Sequence, residues 1–254
     1  GGVAVELVHL GSLYHDDVMD EAEKRRSVPS VNAVWGNHTA ILAGDFLLAR
    51  ASEIAASLGT EIAGLLARTI GELCEGQILE LQSTYKSDRT EESYEKSISG
   101  KTASLLSTAC RIGGLAGGLQ RENIERLTCF GHAYGMAFQI VDDILDVIAT
   151  DEQLGKPAGN DLIEGVYTLP VLFALKSDSG HELRELLGNE LSISERDHAR
   201  DLIRSTDAVG MALDRAQYWA HQAGVELETL PSSPATQALL AATIHLLEQV
   251  ESAG

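Results

Sequence analysis

Cysteine is scarce: the chain has three in 254 residues, Cys74, Cys110 and Cys129. None falls in a Cys-x-x-Cys spacing, which leaves no disulfide framework and no zinc ligand set. A reducing cytoplasm is the compartment this implies, with each cysteine acting as a buried small hydrophobe. Aromatic residues make up only 5% of the chain and there are five prolines, while Ala, Leu, Ile and Gly are plentiful. That balance favours helix packed on helix over a β-sandwich, in long uninterrupted elements. Cations are also in short supply. Lys and Arg total 19 against 38 Asp and Glu, a net charge of −19, which argues against a nucleic-acid partner because phosphate backbones demand a basic face. No apolar run approaches the ~18 residues of a membrane span, and no signal peptide is visible.

The helix period fills most of what remains. Helices are expected over 3–21, 38–58, 60–84, 90–113 and 121–149, and shorter ones over 161–176, 180–190, 194–205, 207–228 and 233–251. Thr60 is a candidate N-cap. Gly113-Gly114 and Gly117-Gly118 bracket an expected loop, and 150–160, with Gly155, Pro157 and Gly159, is a clear break. No alternating pattern marks a strand and no composition shift marks a linker. One all-α domain over 1–254 is the economical fold class. Trp35, in Asn32-Ala33-Val34-Trp35-Gly36-Asn37, is expected as a packing anchor.

Against this background stand two acidic runs, Asp16-Asp17-Val18-Met19-Asp20 and Asp142-Asp143-Ile144-Leu145-Asp146. Residues four apart share a helix face, so Asp16 stacks on Asp20 and Asp142 on Asp146. Such like-charge pairs weaken a helix by a few tenths of a kcal/mol, and the dipole at a helix C-terminus disfavours them further. A bound cation would offset both. Oxygen-only ligands suit a hard ion such as Mg²⁺, which takes one or two carboxylates and completes its shell with water and phosphate oxygens. Two such clusters could clamp a diphosphate between them, letting an acidic protein hold an acidic substrate. Direct cations lie close in sequence: Arg25-Arg26 just past the first run, Lys101-Thr102 on the 90–113 helix, and Lys156 ten positions beyond Asp146. Gln139 sits three and four residues before Asp142 and Asp143, and His9 two turns before Asp16. Taken singly, the arginines read as a solvated loop pair, Lys101 as a surface lysine, Gln139 as a polar helix contact, and His9 as a hydrogen-bonded core residue.

Several blocks together resemble the trans-isoprenyl diphosphate synthases, or polyprenyl synthetases. They are Val5-Glu6-Leu7-Val8-His9 with Tyr14-His15-Asp16-Asp17-Val18-Met19-Asp20, Arg25-Arg26-Ser27-Val28-Pro29, the Trp35 block, and 42–51. Downstream come Gly100-Lys101-Thr102-Ala103-Ser104-Leu105, 138–146, and Gly155-Lys156-Pro157-Ala158-Gly159-Asn160-Asp161-Leu162. The resemblance implies a single-domain isoprenoid-synthase-type helical bundle around a central catalytic cavity, as a homodimer. It implies an allylic prenyl diphosphate losing pyrophosphate and isopentenyl diphosphate attacking the carbocation head to tail. Mg²⁺, as several ions bridging the diphosphate, would be held by Asp16, Asp17, Asp20, Asp142, Asp143 and Asp146. By position Arg25, Lys101, Thr102, Gln139 and Lys156 match allylic-diphosphate contacts, with Lys101 and Lys156 in the catalytic set. Arg26 and His9 match the isopentenyl-diphosphate site. A peripheral membrane contact is the expected exit for an apolar product.

Two departures stand out. The family's upstream Gly-Lys-x-x-Arg segment would precede Gly1, so the chain is expected to lack the family's N-terminal helices. A Lys common in the Gly-x-x-Thr-Leu-Pro block is missing from Gly165-Val166-Tyr167-Thr168-Leu169-Pro170. Under the first acidic run the residues are small, with Ser12 one turn below Asp16 and Gly11 beside it. Val8 and Val5 continue downward, Val5 roughly 16 Å below at 1.5 Å per residue. On the family analogy, this absence of a bulky floor predicts a product longer than fifteen carbons, a long polyprenyl chain for a quinone or carrier lipid. A class I terpene cyclase would normally replace the second run by an Asn/Asp-Ser/Thr-Glu type site. A non-catalytic subunit of a heteromeric synthase would be expected to lose one run. A Ca²⁺-binding structural module would want an EF-hand loop.

Overall fold

A computed structural model describes residues 1–25, 28–154, 157–178 and 180–253. Helices dominate: α1 (Gly2–Met19), α2 (Val31–Trp35), α3 (Asn37–Ser57), α4 (Thr60–Gln82), α5 (Glu91–Ile98), α6 (Ser104–Ala116) and α7 (Arg121–Ile148). The second half adds α8 (Asp151–Leu154), α9 (Asn160–Glu164), α10 (Leu169–Ala174), α11 (Gly180–Leu186), α12 (Ile193–Arg204), α13 (Ala208–Glu228) and α14 (Pro234–Ala253). Between α1 and α2 lies a two-residue antiparallel pair, β1 (Lys24–Arg25) with β2 (Val28–Pro29). The all-α expectation holds apart from that ribbon.

The longest helix, α7, is central. Its C-terminal half buries Ala137, Ile140, Val141, Ile144 and Val147 on several sides, so it reads as a core helix rather than a one-sided amphipath. Tyr167, Leu169 and Leu172, with Ala212 and Ala216 of α13, complete that core. Truncating a buried Ile140 or Ile144 to Ala would cost about 2–5 kcal/mol. A second cluster joins Ala4 and Val8 of α1 to Ala51, Ala55, Ile62, Leu66 and Ile112.

Close backbone approach sets two of the crossings. At α1–α3, a Cβ on Gly11 would stand 3.1 Å from the Gly44 carbonyl, and one on Gly44 would strike the His15 ring at 2.4 Å. At the end of α5 the chain does not run straight into α6. Five residues, Ser99–Ala103, form a π turn, pressed against α4 where Gly76 meets Gly100. The single helix expected over 90–113 is therefore α5, the π turn and α6 in series, reaching Ala116.

Other boundaries move for identifiable reasons. Gly59, not Thr60, is the N-cap of α4, at φ +116°, a conformation glycine adopts freely. Gly113 and Gly114 are helical, and Gly114 is small because Ile124 packs on it. Gly165, at φ +73° with the Tyr85 ring over it, splits the helix expected over 161–176. Trp35 is not a packing anchor: it is 65% exposed. Nor are the cysteines buried, since Cys74 and Cys129 are exposed and Cys110 is half-buried.

Candidate active site

The first acidic run occupies the last turn of α1, where the three aspartates differ. Asp17 is buried and committed to the protein: Arg25 donates to its Oδ1 through Nε at 2.7 Å and Nη2 at 2.5 Å. Asn32 also ties its backbone carbonyl to the start of α2. Asp16 and Asp20 stack one turn apart as the spacing requires. Burial raises both carboxyls above their ordinary range, with Lys101 and Arg25 opposing that rise.

The second run closes α7 in the same pattern. Asp143 is 3% exposed and has protein donors on both oxygens. The Tyr94 hydroxyl reaches Oδ2 at 2.5 Å and Gln139 Nε2 reaches Oδ1 at 2.9 Å. Burial pushes its carboxyl up to about 7, against the pull of those two hydrogen bonds. Asp142 lies exposed on the next face. Asp146 is buried and accepts the Asp161 N–H on Oδ2 at 3.3 Å.

Facing the first run sits Lys101, delivered by the π turn. Its ammonium is paired with Glu80 at the end of α4. Burial alone would lower the Lys101 pKa, but Glu80, with Asp16 and Asp20, holds it above the ordinary lysine value. The neighbouring Thr102 hydroxyl donates to Gln139 Oε1 at 2.6 Å, so α4, the π turn and α7 are joined by polar contacts. Glu164 on α9 marks the convergence. Burial first and Asp20 second raise its carboxyl to about 7, and Asp146 adds to the rise. One carboxyl thus feels an aspartate from each run.

Among the described residues no three His, Cys, Asp or Glu groups enclose a cation by themselves. Asp16, Asp20 and Asp142, hard oxygen donors on two helices, are instead of the type suited to an ion that keeps water and phosphate ligands.

The remaining predicted residues distribute unevenly. Arg25 is in place but held by Asp17. Arg26 and Lys156 lie outside the described residues. His9 is half-buried two turns down α1, and its carbonyl accepts the Ser12 hydroxyl at 2.8 Å. Gly11 does not open space below Asp16, because its small size serves the α3 crossing, with Leu48 3.2 Å from where a Cβ would stand. Val8 is fully enclosed in the core, Val5 packs at its edge and Ser12 is half-buried. The two described clefts lie elsewhere: one of about 280 Å³ between α13 and α14, the other of about 420 Å³ beside α12. Neither contains a predicted site residue.

Sequence reasoning missed Tyr94, Glu80, Arg89 and Glu164. Arg89 is 8% exposed, lies 5.5 Å over the Tyr94 ring, and donates to the Tyr167 carbonyl at 3.1 Å. Burial lowers its pKa. Glu164 lies two residues past the end of one recognised block, at Leu162, the one signal that could have flagged it.

Comparison with known proteins decides the family. The model described as Polyprenyl synthetase matches residues 2–203. The chain belongs to the polyprenyl synthetase family. Polyprenyl synthetases are trans-prenyltransferases, and two relatives and one solved structure illustrate the match. Nonaprenyl diphosphate synthase of Mycobacterium tuberculosis is 44% identical over 244 residues, covering 94% of this chain and 72% of the relative. Heptaprenyl diphosphate synthase component 2 of Geobacillus stearothermophilus is 42% identical, covering 92% and 73%. The crystal structure of a polyprenyl synthase from Caulobacter crescentus, complexed with calcium and isoprenyl diphosphate, superposes with a TM-score of 0.91 at 33% identity, covering 96% of this chain and 76% of that one.

Proposed function

We propose that this polyprenyl synthetase joins isopentenyl diphosphate head to tail to an allylic prenyl diphosphate, extending the product beyond fifteen carbons. The observation that carries the reading is that Glu164 meets an aspartate from each run, Asp20 and Asp146, together with Lys101, whose half-buried ammonium also faces Asp16 and Asp20. Asp17 and Asp143 are fastened by protein partners, which leaves Asp16, Asp20 and Asp142 as the first candidates to hold Mg²⁺, with Asp146 beside them. When bound, the metal supplies charge neutralisation for the diphosphate. Lys101, Thr102 and Gln139 line the same place, and an ammonium held there stabilises negative charge on a departing pyrophosphate. Arg25 joins them on release from Asp17. His9, Arg26 and Lys156 keep the roles the family resemblance assigns. The names of the nonaprenyl and heptaprenyl relatives support a long product, and Ser12 is the small residue left to admit it.

We read 1–254 as one domain, since α13 and α14 beyond the family match pack onto α7. A homodimer is the proposed assembly. It is supported by an apolar face on α2 and α3, where Trp35, Leu42 and Phe46 are 65%, 67% and 64% exposed. The name of the component 2 relative favours a second reading, a catalytic subunit needing another chain. Among the described residues no helix is long and apolar enough to cross a membrane, and we place the protein in the cytoplasm with peripheral membrane contact at product release. The test is incubation of purified protein with Mg²⁺, labelled isopentenyl diphosphate and allylic primers of several lengths, with products sized. A ladder longer than fifteen carbons supports the reading. No incorporation by the chain alone, restored by a second component, would select the heteromeric one.

A further inference from the structure

Two arginines of α12, Arg200 and Arg204, meet the C-terminal end of α7, with Arg196 one turn before them. Arg196, Arg200 and Arg204 are spaced four apart and so share a helix face. Arg200, 8% exposed, donates through Nε to the Val147 carbonyl at 3.0 Å and through Nη2 to the Ala149 carbonyl at 2.5 Å. Arg204 donates to the same Val147 carbonyl through Nε at 3.0 Å and Nη2 at 2.8 Å. The final carbonyls of a helix have no partner within it. Here the Ala149 N–H takes the Leu145 carbonyl at 2.9 Å and the Gly159 N–H takes the Asp146 carbonyl at 2.8 Å, and the arginines take two more.

The same side chains also press on the returning chain. Gly159 has φ +74°, and a Cβ there would stand 2.6 Å from Arg200 Cδ and 3.1 Å from the Arg196 stem. The guanidinium groups thus hold the helix end while the methylenes back Gly159. Asp146 lies between, with its carbonyl bonded to Gly159 and one carboxylate oxygen to the Asp161 N–H. A helix C-terminus bearing three aspartates is electrostatically unfavourable, and its last turn needs such ties to keep one direction.

We propose that Arg200 and Arg204 are positioning residues for the second aspartate run: by fixing the last turn of α7 and Gly159 against it, they set how Asp146 is presented to a metal-bridged diphosphate. This rests on the proposed function. In the full chain, Arg204→Met keeps the stem of a side chain that is 36% exposed, so the fold should survive. Arg200→Met is the companion variant, and Arg204→Lys keeps the charge without the planar fork. Two quantities are read: amide exchange at Ala149 and Gly159, and Mg²⁺-dependent calorimetric binding of inorganic pyrophosphate. Exchange should accelerate at both amides, and pyrophosphate affinity should fall about tenfold or more, the usual size of a supporting-contact loss at a metal site. Arg204→Lys should stay nearer the Met variant than the wild type. Faster exchange with unchanged affinity would overturn the proposal and leave a purely structural cap, and unchanged exchange would overturn it outright. A wild-type chain that does not bind pyrophosphate with Mg²⁺ would instead remove the functional reading, and the proposal with it.

Discussion

Replacing Gly76 by Ala tests how the π turn delivers Lys101. A Cβ at Gly76 would lie 2.3 Å from the Lys101 amide nitrogen and 2.8 Å from both the Gly100 carbonyl carbon and the Ser97 carbonyl oxygen. All three neighbours are backbone, so no side chain can swing away. Relief requires α4 and the π turn to part by about 1 Å, at a typical overpacking cost of ~1–3 kcal/mol. The better helix propensity of Ala returns up to ~1 kcal/mol, so net stability should fall by roughly 0–3 kcal/mol. Activity should fall further, because a 1 Å misplacement of a positioned group costs about 10²-fold in rate, and Lys101 and Thr102 both ride on the displaced turn. Denaturant unfolding reads the first quantity and steady-state turnover the second. Gly113→Ala is the control: a Cβ there meets nothing within 4 Å, so it should stabilise slightly and leave turnover alone. Wild-type turnover by Gly76→Ala would refute the claim that this contact places Lys101.

Three further outcomes are expected. Tyr94→Phe keeps the ring under Arg89 but removes the donor from Asp143, so the half-saturating Mg²⁺ concentration for turnover should rise about 10- to 100-fold; an unchanged value would make Tyr94 a packing residue only. Ser12→Phe should shorten the product ladder, and an unaltered ladder would move the chain-length determinant off α1. Asp143 and Glu164 both have carboxyls raised to about 7, so the folded state binds protons that the unfolded chain releases. The metal-free protein should therefore lose melting temperature as pH rises from about 4 through about 7. A melting temperature that climbs across that window would contradict the burial assigned to these two groups.

The elements easiest to foresee were those set by local period. The ends of α1, α3, α4 and α7 fall within two residues of expectation because their apolar spacing and flanking glycines act over one or two turns. The π turn was not legible, since it arises where Gly76 and Gly100, 24 positions apart, let two backbones touch. Trp35 failed in the opposite direction: a large aromatic suggests a core, yet the sequence carries no mark of which helix face is left uncovered. At the site, the two aspartate runs were plain, but their internal division of labour was not. All six carboxylates look alike in sequence, whereas the fold fastens Asp17 with Arg25 and Asp143 with Tyr94 and Gln139. Gly11 shows the same limit, because a small residue reads equally well as room for a ligand or room for a helix.

The central claim is that both aspartate runs act on one diphosphate. Its most direct test is the turnover of Asp16→Ala and Asp142→Ala, each measured beside the wild type with saturating Mg²⁺, isopentenyl diphosphate and allylic primer. Each substitution alone should abolish turnover while the protein still unfolds cooperatively. A mild loss from either would mean that a single run suffices, and would contradict the account.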